Sequence, residues 1–153
     1  MNEPKIFIDS NIIISGTFFS GLESILLSTR DIELITAEIC KEEVLEVTKR
    51  KFKSFGVETL RIALEEVENS FSDIIVIPES DYIHNLSKPE CLIKDKKKVN
   101  DRKVLAAVLT VNPDYFVTGD SDFDTKEIKR EINVVTTRAV LERLSVVKWF
   151  QVA

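Results

Sequence analysis

Residues 5–9, KIFID, decide the fold of this sequence. The run KIFI is short and mostly apolar, which is typical of a strand buried on both faces, and it stops at an acidic residue, Asp9. Similar runs follow along the chain, separated by segments with helical periodicity. The five predicted strands are residues 5–8, 32–35, 74–77, 115–118 and 133–136. Strands that alternate with helices predict an α/β fold with helices on both faces of a parallel sheet.

The helical segments carry start and stop signals. Thr36 is a predicted N-cap, with Glu38 in the first turn of a helix that runs to about Phe52, and Pro113 lies just beyond another helix. The other predicted helices are residues 21–29, 57–71, 80–86, 101–111, 125–131 and 138–144. We expect a polar loop or helix end over residues 87–100, and an extended tail after residue 144 through Trp149.

The composition is that of an ordinary globular protein. The chain has 153 residues, of which 44% are hydrophobic and 31% charged, and we expect a single domain over residues 1–153. The N-terminal stretch has no basic leader or cleavage site, and no run has the roughly 18 apolar residues of a membrane span. We therefore expect a cytoplasmic protein. A net charge of −5 argues against a general nucleic-acid coating protein but is compatible with a nuclease.

Zinc chemistry built on histidine and cysteine is excluded. The two cysteines, Cys40 and Cys91, have no metal-ligand or redox spacing, and the single histidine is His84. Cys40 falls in a helical pattern, where a small core residue is expected. His84 lies next to a loop-like stretch and is expected on the surface.

Four acidic residues occupy positions where the apolar pattern predicts burial. Asp9 and Asp120 follow predicted strands, Glu43 lies within the apolar stripe of its helix, and Asp101 lies on the buried side of a first turn. In parallel sheets, ligands bind beyond the carboxyl ends of the strands. Burial of a carboxylate is costly unless it is paired or binds a cation, so the four together indicate one metal site.

Each acid also has a structural interpretation. Asp9 is a candidate cap for a following helix, and Asp101 is a candidate N-cap or helix-dipole partner. A shift of one residue in the helical register would put Glu42 in the place of Glu43. The acids at 120, 122 and 124 also fit a solvated acidic loop.

Oxygen ligands indicate a hard divalent cation, Mg²⁺ or Mn²⁺. Three or four carboxylates bind one or two such ions, which activate water and stabilise charge on a phosphodiester. The sequence has no candidate Ser-His-Asp or Cys-His arrangement and no glycine-rich phosphate loop.

These residues lie in stretches that resemble a PIN-domain protein over most of the chain. The stretches are IFIDSN (6–11), EEVLEVTKR (42–50), NDRKVLAAV (100–108), DYFVTGDSDF (114–123) and VVTTRAVLERL (134–144). The resemblance implies a three-layer α/β/α sandwich with a central parallel sheet. It also implies a metal-dependent ribonuclease of single-stranded RNA, of the kind that forms the toxin half of toxin–antitoxin pairs, with an antitoxin protein as a partner.

The resemblance also assigns roles. Its acidic quartet matches the following residues: Asp9, Glu43, Asp101 and Asp120. Asp122 matches a frequent additional acid and would join the quartet as a metal ligand, and Asn11 and Thr118 match polar residues that support the site. There are departures: Ser10 stands where Thr is usual, Lys98 and Asn100 stand where an extra acid often precedes the central Asp, and the placement of Glu43 needs a one-residue adjustment.

Two basic clusters are candidates for holding an RNA backbone, although a run of charges is more often a solvated face. One consists of Lys49, Arg50, Lys51 and Lys53. The other consists of Lys94, Lys96, Lys97, Lys98, Arg102 and Lys103 and flanks Asp101. Phe18 and Phe19 are candidates for base stacking or a partner groove, against the commoner alternative of core or dimer packing.

The sequence also permits three other interpretations of its acidic residues. The acids at 120, 122, 124 and 131 have the spacing of a calcium-binding loop, but Thr125 stands where that motif needs glycine. A phosphoacceptor Asp9 would lack the second Asp that a phosphatase of that kind uses. A PIN-like domain that only binds RNA or a partner protein is the third. The apolar tail residues Trp149, Phe150 and Val152 are candidates for a homodimer contact or for packing on the chain's own sheet.

Overall fold

A computed structural model describes residues 3–144. Five parallel strands form one sheet in the order β3-β2-β1-β4-β5. The strands are β1 (Lys5–Ile8), β2 (Glu33–Ala37), β3 (Ile74–Ile77), β4 (Tyr115–Val117) and β5 (Val134–Val135). The chain builds outward from β1 to β3, then returns to place β4 on the other side of β1. The strand order therefore reverses between β1 and β4, which is where open parallel sheets bind ligands.

Nine α-helices lie within the part of the chain that the structure describes. They are α1 (Ser10–Phe18), α2 (Leu22–Ser28), α3 (Glu38–Phe52), α4 (Val57–Phe71), α5 (Glu79–Tyr82), α6 (Ser87–Leu92), α7 (Val99–Val111), α8 (Lys126–Glu131) and α9 (Thr137–Arg143). Two single 3-10 turns, Lys53–Phe55 and Ser121–Phe123, complete the regular structure.

The sheet has a hydrophobic core on each face, because side chains alternate along a strand. Ile6 and Ile8 of β1 point into one core, which α1, α2, α4 and α9 cover. Phe7, between them, points into the other, where α7 packs and the Phe7 and Phe116 rings meet edge to face at 5.5 Å. Both faces of the parallel sheet are thus covered, as the apolar pattern predicted.

Helix α1 is an addition to the predicted elements. Its run of three isoleucines, Ile12–Ile14, has lower helix propensity than unbranched residues because β-branching restricts χ1. All three side chains are buried. Tertiary packing therefore outweighs local propensity here, and Asp9 caps the helix with a carboxylate that accepts from the Ser10 N–H.

The predicted cap of α3 is wrong. Thr36 lies inside β2, and its hydroxyl donates to the Ile8 carbonyl oxygen at 2.7 Å. The helix begins at Glu38 after Ala37, which has no capping side chain. A side chain from another helix satisfies a backbone donor of its first turn: the Ile39 N–H donates to the buried Tyr82 hydroxyl at 3.2 Å.

Three boundaries in the middle of the chain also differ from the prediction. The predicted helix over residues 80–86 is the short helix Glu79–Tyr82, and the predicted loop over 87–100 contains the helix Ser87–Leu92. Helix α7 begins at Val99, so Asp101 is its third residue and not its N-cap.

Among residues 3–144, no single helix is long and apolar enough to cross a membrane; α1 and α2 meet that test only as a pair bent by 95°. The predicted tail, with Trp149, Phe150 and Val152, lies outside the described residues.

Candidate metal centre

Asp9 and Thr118 meet at the point where the strand order reverses. Asp9 follows β1 and Thr118 follows β4, and the two strands are neighbours. The Thr118 hydroxyl donates to Asp9 Oδ2 at 2.9 Å. Two residues that are 109 positions apart in the sequence are thereby fixed side by side.

The carboxylate of Asp9 is almost fully enclosed, with 5% of the residue exposed. Its Oδ1 accepts from the Ser10 N–H at 2.8 Å and from the Cys40 thiol at 3.9 Å. Burial raises the pKa of Asp9 above the usual aspartate value, whereas the hydrogen bonds from Thr118 and Ser10 lower it, and the charge of Asp120 raises it further. The donors that surround Asp9 hold it in one orientation.

Cys40 is the buried core residue that the sequence predicted, and it also touches the site. Burial, with the nearby charge of Asp9, raises the pKa of the Cys40 thiol to about 12. The sulfur therefore stays protonated at neutral pH and acts as a donor to Asp9, not as a nucleophile or a metal ligand.

The chain after β4 folds its acids toward Asp9 through a relay of hydrogen bonds. The Asp120 N–H donates to the Thr118 hydroxyl oxygen at 3.0 Å, and the Asp122 N–H donates to Asp120 Oδ1 at 2.9 Å. Thr118 thus contacts both Asp9 and the backbone of Asp120. A single threonine side chain sets the position of two acids.

Asp101, Asp120 and Asp122 form an acidic trio. One carboxylate oxygen from each lies within 4.8 Å of the others, and all three side chains are half-buried. Asp101 comes from the first turn of α7, and the other two come from the turn after β4. Three converging carboxylates can hold a divalent cation.

The trio is electrostatically strained without a cation. The pKa of Asp101 is raised to about 7, first by burial and then by its hydrogen bond with Asp122 and the charge of Asp120. The pKa of Asp122 is lowered, first by its hydrogen bond with Lys98 and then by its hydrogen bond with Asp101. The Asp101–Asp122 pair therefore shares a proton near neutral pH in the absence of another cation.

Glu43 projects from α3 toward the same place. Burial raises the pKa of Glu43, and the charge of Asp9 adds to this, while a hydrogen bond with Ser10 opposes it. Glu42 and Glu46 are exposed, as predicted for a solvated face. The helical register therefore directs Glu43, and not Glu42, to the acidic centre.

Two contacts of the site were not foreseen from the sequence. Ser10 interacts with both Asp9 and Glu43, and Lys98 pairs with Asp122, with its Nζ at 2.5 Å from Asp122 Oδ2. The Ser10 contact has a signal in the sequence, since a small polar residue directly after a strand-end acid can turn back onto it. The Lys98 contact joins residues 24 apart and has none.

The remaining predicted site residues are exposed or have other partners. Asn11 is exposed and its side chain makes no hydrogen bond with residues 3–144. Arg102 donates through Nε to the Ile93 carbonyl oxygen at 2.7 Å, and Lys103 pairs with Glu79 at 2.9 Å. Phe18 packs on Phe52 at 5.1 Å between ring centroids, at the far ends of α1 and α3.

The basic residues at 49 and 50 are exposed near the end of α3, and those at 96 and 97 are exposed just before α7. Helices α3 and α7 both carry a site acid near their starts, Glu43 and Asp101. The second pair is therefore the one that borders the acidic centre.

The calcium-loop interpretation finds no support in the geometry. Asp124 pairs with Lys129, and Glu131 pairs with Lys88 at 2.8 Å, so neither faces the trio. Strand β4, and not a helix, precedes the loop.

Two cavities adjoin the centre on either side of Thr118 and Gly119. One of about 250 Å³ includes Asp120 and Lys129 in its lining, and one of about 280 Å³ includes Arg138. A Cβ at Gly119 would meet no atom within 4 Å beyond its chain neighbours. Extended space therefore flanks the acids at the carboxyl edge of the sheet.

Comparison with solved structures identifies the fold. Similar structures include VapBC2 from Rickettsia felis bound to a DNA fragment from their promoter, with 12% identity, a TM-score of 0.66, and coverage of 86% of this chain and 98% of that one. VapBC-1 from nontypeable Haemophilus influenzae has 15% identity and a TM-score of 0.61, over 88% and 98%. A toxin–antitoxin complex from Klebsiella pneumoniae has 18% identity and a TM-score of 0.63, over 86% and 97%.

No family model matches the sequence, and no curated protein does. The chain shares the fold of these structures, and the predicted PIN-like α/β/α sandwich with a central parallel sheet is confirmed. At these identities the likeness defines the fold alone.

Proposed function

We propose that this protein is a divalent-metal-dependent endoribonuclease that hydrolyses phosphodiester bonds of single-stranded RNA. The observation that carries the proposal is the convergence of five carboxylates from four segments of the chain on one edge of the sheet. These are Asp9, Glu43, Asp101, Asp120 and Asp122. Burial of so many acids is costly without a cation, and the cost favours metal binding over a purely structural role.

The donor set fits a hard cation. All the converging ligand atoms are carboxylate oxygens, and the nearby thiol of Cys40 is protonated. Asp101, Asp120 and Asp122 would hold Mg²⁺ or Mn²⁺, with Asp9 as a direct or water-mediated ligand. A bound ion of this kind lowers the pKa of water and offsets charge on a phosphodiester.

Two side chains near the acidic trio, Glu43 and Thr118, would have further roles in the reaction. Glu43, with its raised pKa, would orient a water molecule and accept its proton. The Thr118 hydroxyl contacts both the Asp9 carboxylate and the Asp120 backbone. Thr118 would therefore orient these two acids as metal ligands. The cavities beside Gly119 leave room for the strand on both sides of the reacting phosphate.

The biological setting belongs to the same proposal. Structures of similar fold are toxin–antitoxin complexes, and we infer that this chain is the toxin of such a pair, acting in the cytoplasm and restrained by an antitoxin protein. Induced expression of the wild-type chain should then arrest bacterial growth, and co-expression of the antitoxin should relieve the arrest.

Cleavage of labelled single-stranded RNA tests the enzymatic proposal. The purified protein should cut with Mg²⁺ or Mn²⁺ and not with EDTA, and Asp9→Asn should abolish cutting while leaving the free energy of unfolding unchanged or raised. The loss follows from the removal of a charged ligand, and the retained stability from the relief of repulsion among crowded carboxylates.

Asp114→Asn is the matched control, because Asp114 precedes β4 at the opposite edge of the sheet, where its Oδ2 accepts the Lys5 N–H. It should cut like wild type. Full activity in Asp9→Asn would refute the site assignment. A folded wild type that cuts under no metal would favour the rival function, a PIN-like module that binds RNA or a partner protein without cleavage.

A further inference from the structure

Lys98 is a positive charge built into the acidic centre. It stands directly before α7, three residues ahead of Asp101, and its Nζ lies 2.5 Å from Asp122 Oδ2. The two side chains are 37% and 29% exposed, so the pair is partly shielded from water. The other ion-paired lysines of residues 3–144 are bonded to acids outside the five carboxylates of the centre.

Several carboxylate oxygens of the centre already have partners within the protein. Both oxygens of Asp9 already accept hydrogen bonds, and Asp120 Oδ1 accepts the Asp122 N–H. Asp122 Oδ2 holds the lysine. A carboxylate oxygen that accepts one hydrogen bond can still bind a cation, but a second ion that used Asp122 Oδ2 would have to displace Lys98.

We propose that Lys98 is an internal counterion that occupies the place of a second cation and limits the centre to one divalent ion. The inference rests on the proposed function for the identity of the site. Two-metal sites hold their ions roughly 3.5–4 Å apart. The ammonium group of Lys98 is bonded to Asp122, so it lies where a second ion bound to Asp122 would lie. Its charge repels the second ion and weakens the attraction for the first.

The charge of Lys98 would therefore set both the affinity of the site for a divalent ion and the number of ions that bind. Removal of the positive charge should strengthen binding of the single ion by roughly tenfold, the scale expected for charge repulsion at this range in a partly hydrated site. Replacement by an acid should add a ligand as well, and should allow a second ion to bind. Both effects should shrink at high ionic strength because salt screens exposed charges.

Mn²⁺ binding to the full chain tests the inference, measured as the loss of the free-ion paramagnetic resonance signal at low salt. The wild type should bind one Mn²⁺, Lys98→Gln should bind one about tenfold more tightly, and Lys98→Glu should bind two. Lys98→Arg keeps the charge and should resemble wild type. Lys97→Gln is the matched control, since Lys97 is the exposed neighbour of Lys98 and makes no ion pair within the described residues.

Two Mn²⁺ ions on the wild type, or an affinity that Lys98→Gln leaves unchanged or weakens, would overturn the counterion role. Thermal unfolding of each variant shows that it is folded. RNA cleavage separates this inference from the one on which it rests. If Mn²⁺ binding follows the expected pattern but no RNA is cleaved, only the ribonuclease proposal is refuted. If RNA is cleaved normally but Lys98→Gln does not change Mn²⁺ binding, only the counterion role of Lys98 is refuted.

Discussion

The carboxyl group of Asp101 links metal binding to pH. Its pKa of about 7 comes from burial first, then from its hydrogen bond with Asp122 and the charge of Asp120, against an ordinary value of 3.8. In the metal-free protein the folded state therefore holds a proton between about pH 4 and pH 7 that the unfolded state has released. Folding stability should fall as pH rises through this window.

The first expected result is a melting temperature of the metal-free protein that is higher at pH 5 than at pH 8. The raised pKa values of Asp9 and Glu43 act in the same direction. Asp122, whose pKa is lowered, acts in the opposite direction, but only below the window. Thermal scans in EDTA across this range measure the effect.

Proton competition should also weaken Mn²⁺ binding below pH 7, by up to about tenfold per pH unit, because the ligand must be deprotonated. Asp101→Asn removes the titrating group and should flatten both pH profiles. A wild-type melting temperature that rises from pH 5 to pH 8 would contradict the assignment of a raised pKa to Asp101.

At the level of single residues, the sequence is informative about acids and silent about their partners. Asp9, Glu43, Asp101 and Asp120 stand at strand ends or in apolar stripes, so a local pattern is enough to single them out. Lys98 lies in a polar run with several lysines, and nothing local tells which of them turns inward. Its contact with Asp122 is set by how β4 and α7 are placed, which is a property of the fold.

At the level of elements, the strands were predictable because buried parallel strands are continuously apolar. Lys5–Ile8 and Ile74–Ile77 have the predicted bounds, and the helix Val57–Phe71 does too. Helix α1, which the pattern did not predict, combines low-propensity isoleucines with Gly16, so its stability comes from packing that local pattern does not reveal. The α1 helix also carries Asp9 as its cap, so its packing bears on the site.

Gly16 is the point where α1 packs closely on α2. A Cβ there would lie 2.8 Å from Leu27 Cγ and 2.9 Å from the Glu23 carbonyl oxygen. The second contact is with backbone and cannot be relieved by a rotamer change. We expect Gly16→Val to lower the free energy of unfolding by about 2 kcal/mol, since overpacking outweighs the modest gain in helix propensity.

Urea denaturation measures this loss, with Gly119→Val as the control. A Cβ at Gly119 would meet no atom within 4 Å beyond its chain neighbours, and the position has no left-handed backbone, so the free energy of unfolding should change by less than about 0.5 kcal/mol. Equal stability of the two variants would show that α1 and α2 can separate without cost.

At the level of the whole molecule, the order of the strands is what assembles the site, and the local patterns do not specify it. Placing β4 beside β1 brings Thr118 to Asp9 across 109 residues. The same topology sets the direction of the helices. Helix α3 starts at the carboxyl edge and leads away from it, so Lys49 and Arg50 lie about 9–10 Å further along the helix axis than Glu43.

This geometry separates the two basic clusters that the sequence could not rank. Lys96 and Lys97 precede α7 and border the centre, whereas Lys49 and Arg50 lie toward the distant end of α3. In a protein with a net charge of −5, RNA affinity depends on local basic residues. The double change Lys96→Gln with Lys97→Gln should therefore weaken RNA binding, and Lys49→Gln with Arg50→Gln, which removes the same charge, should not.

Fluorescence anisotropy of a labelled single strand measures the affinity, with Asp9→Asn as the background so that the strand stays intact. The slope of log affinity against log salt should become shallower by about 0.7 for each lysine that contacts a phosphate. Equal losses in the two double variants would mean that RNA responds only to net charge. A loss confined to the variant at 49 and 50 would place the strand at the opposite edge of the sheet, away from the acids, and would leave the acidic centre without its substrate.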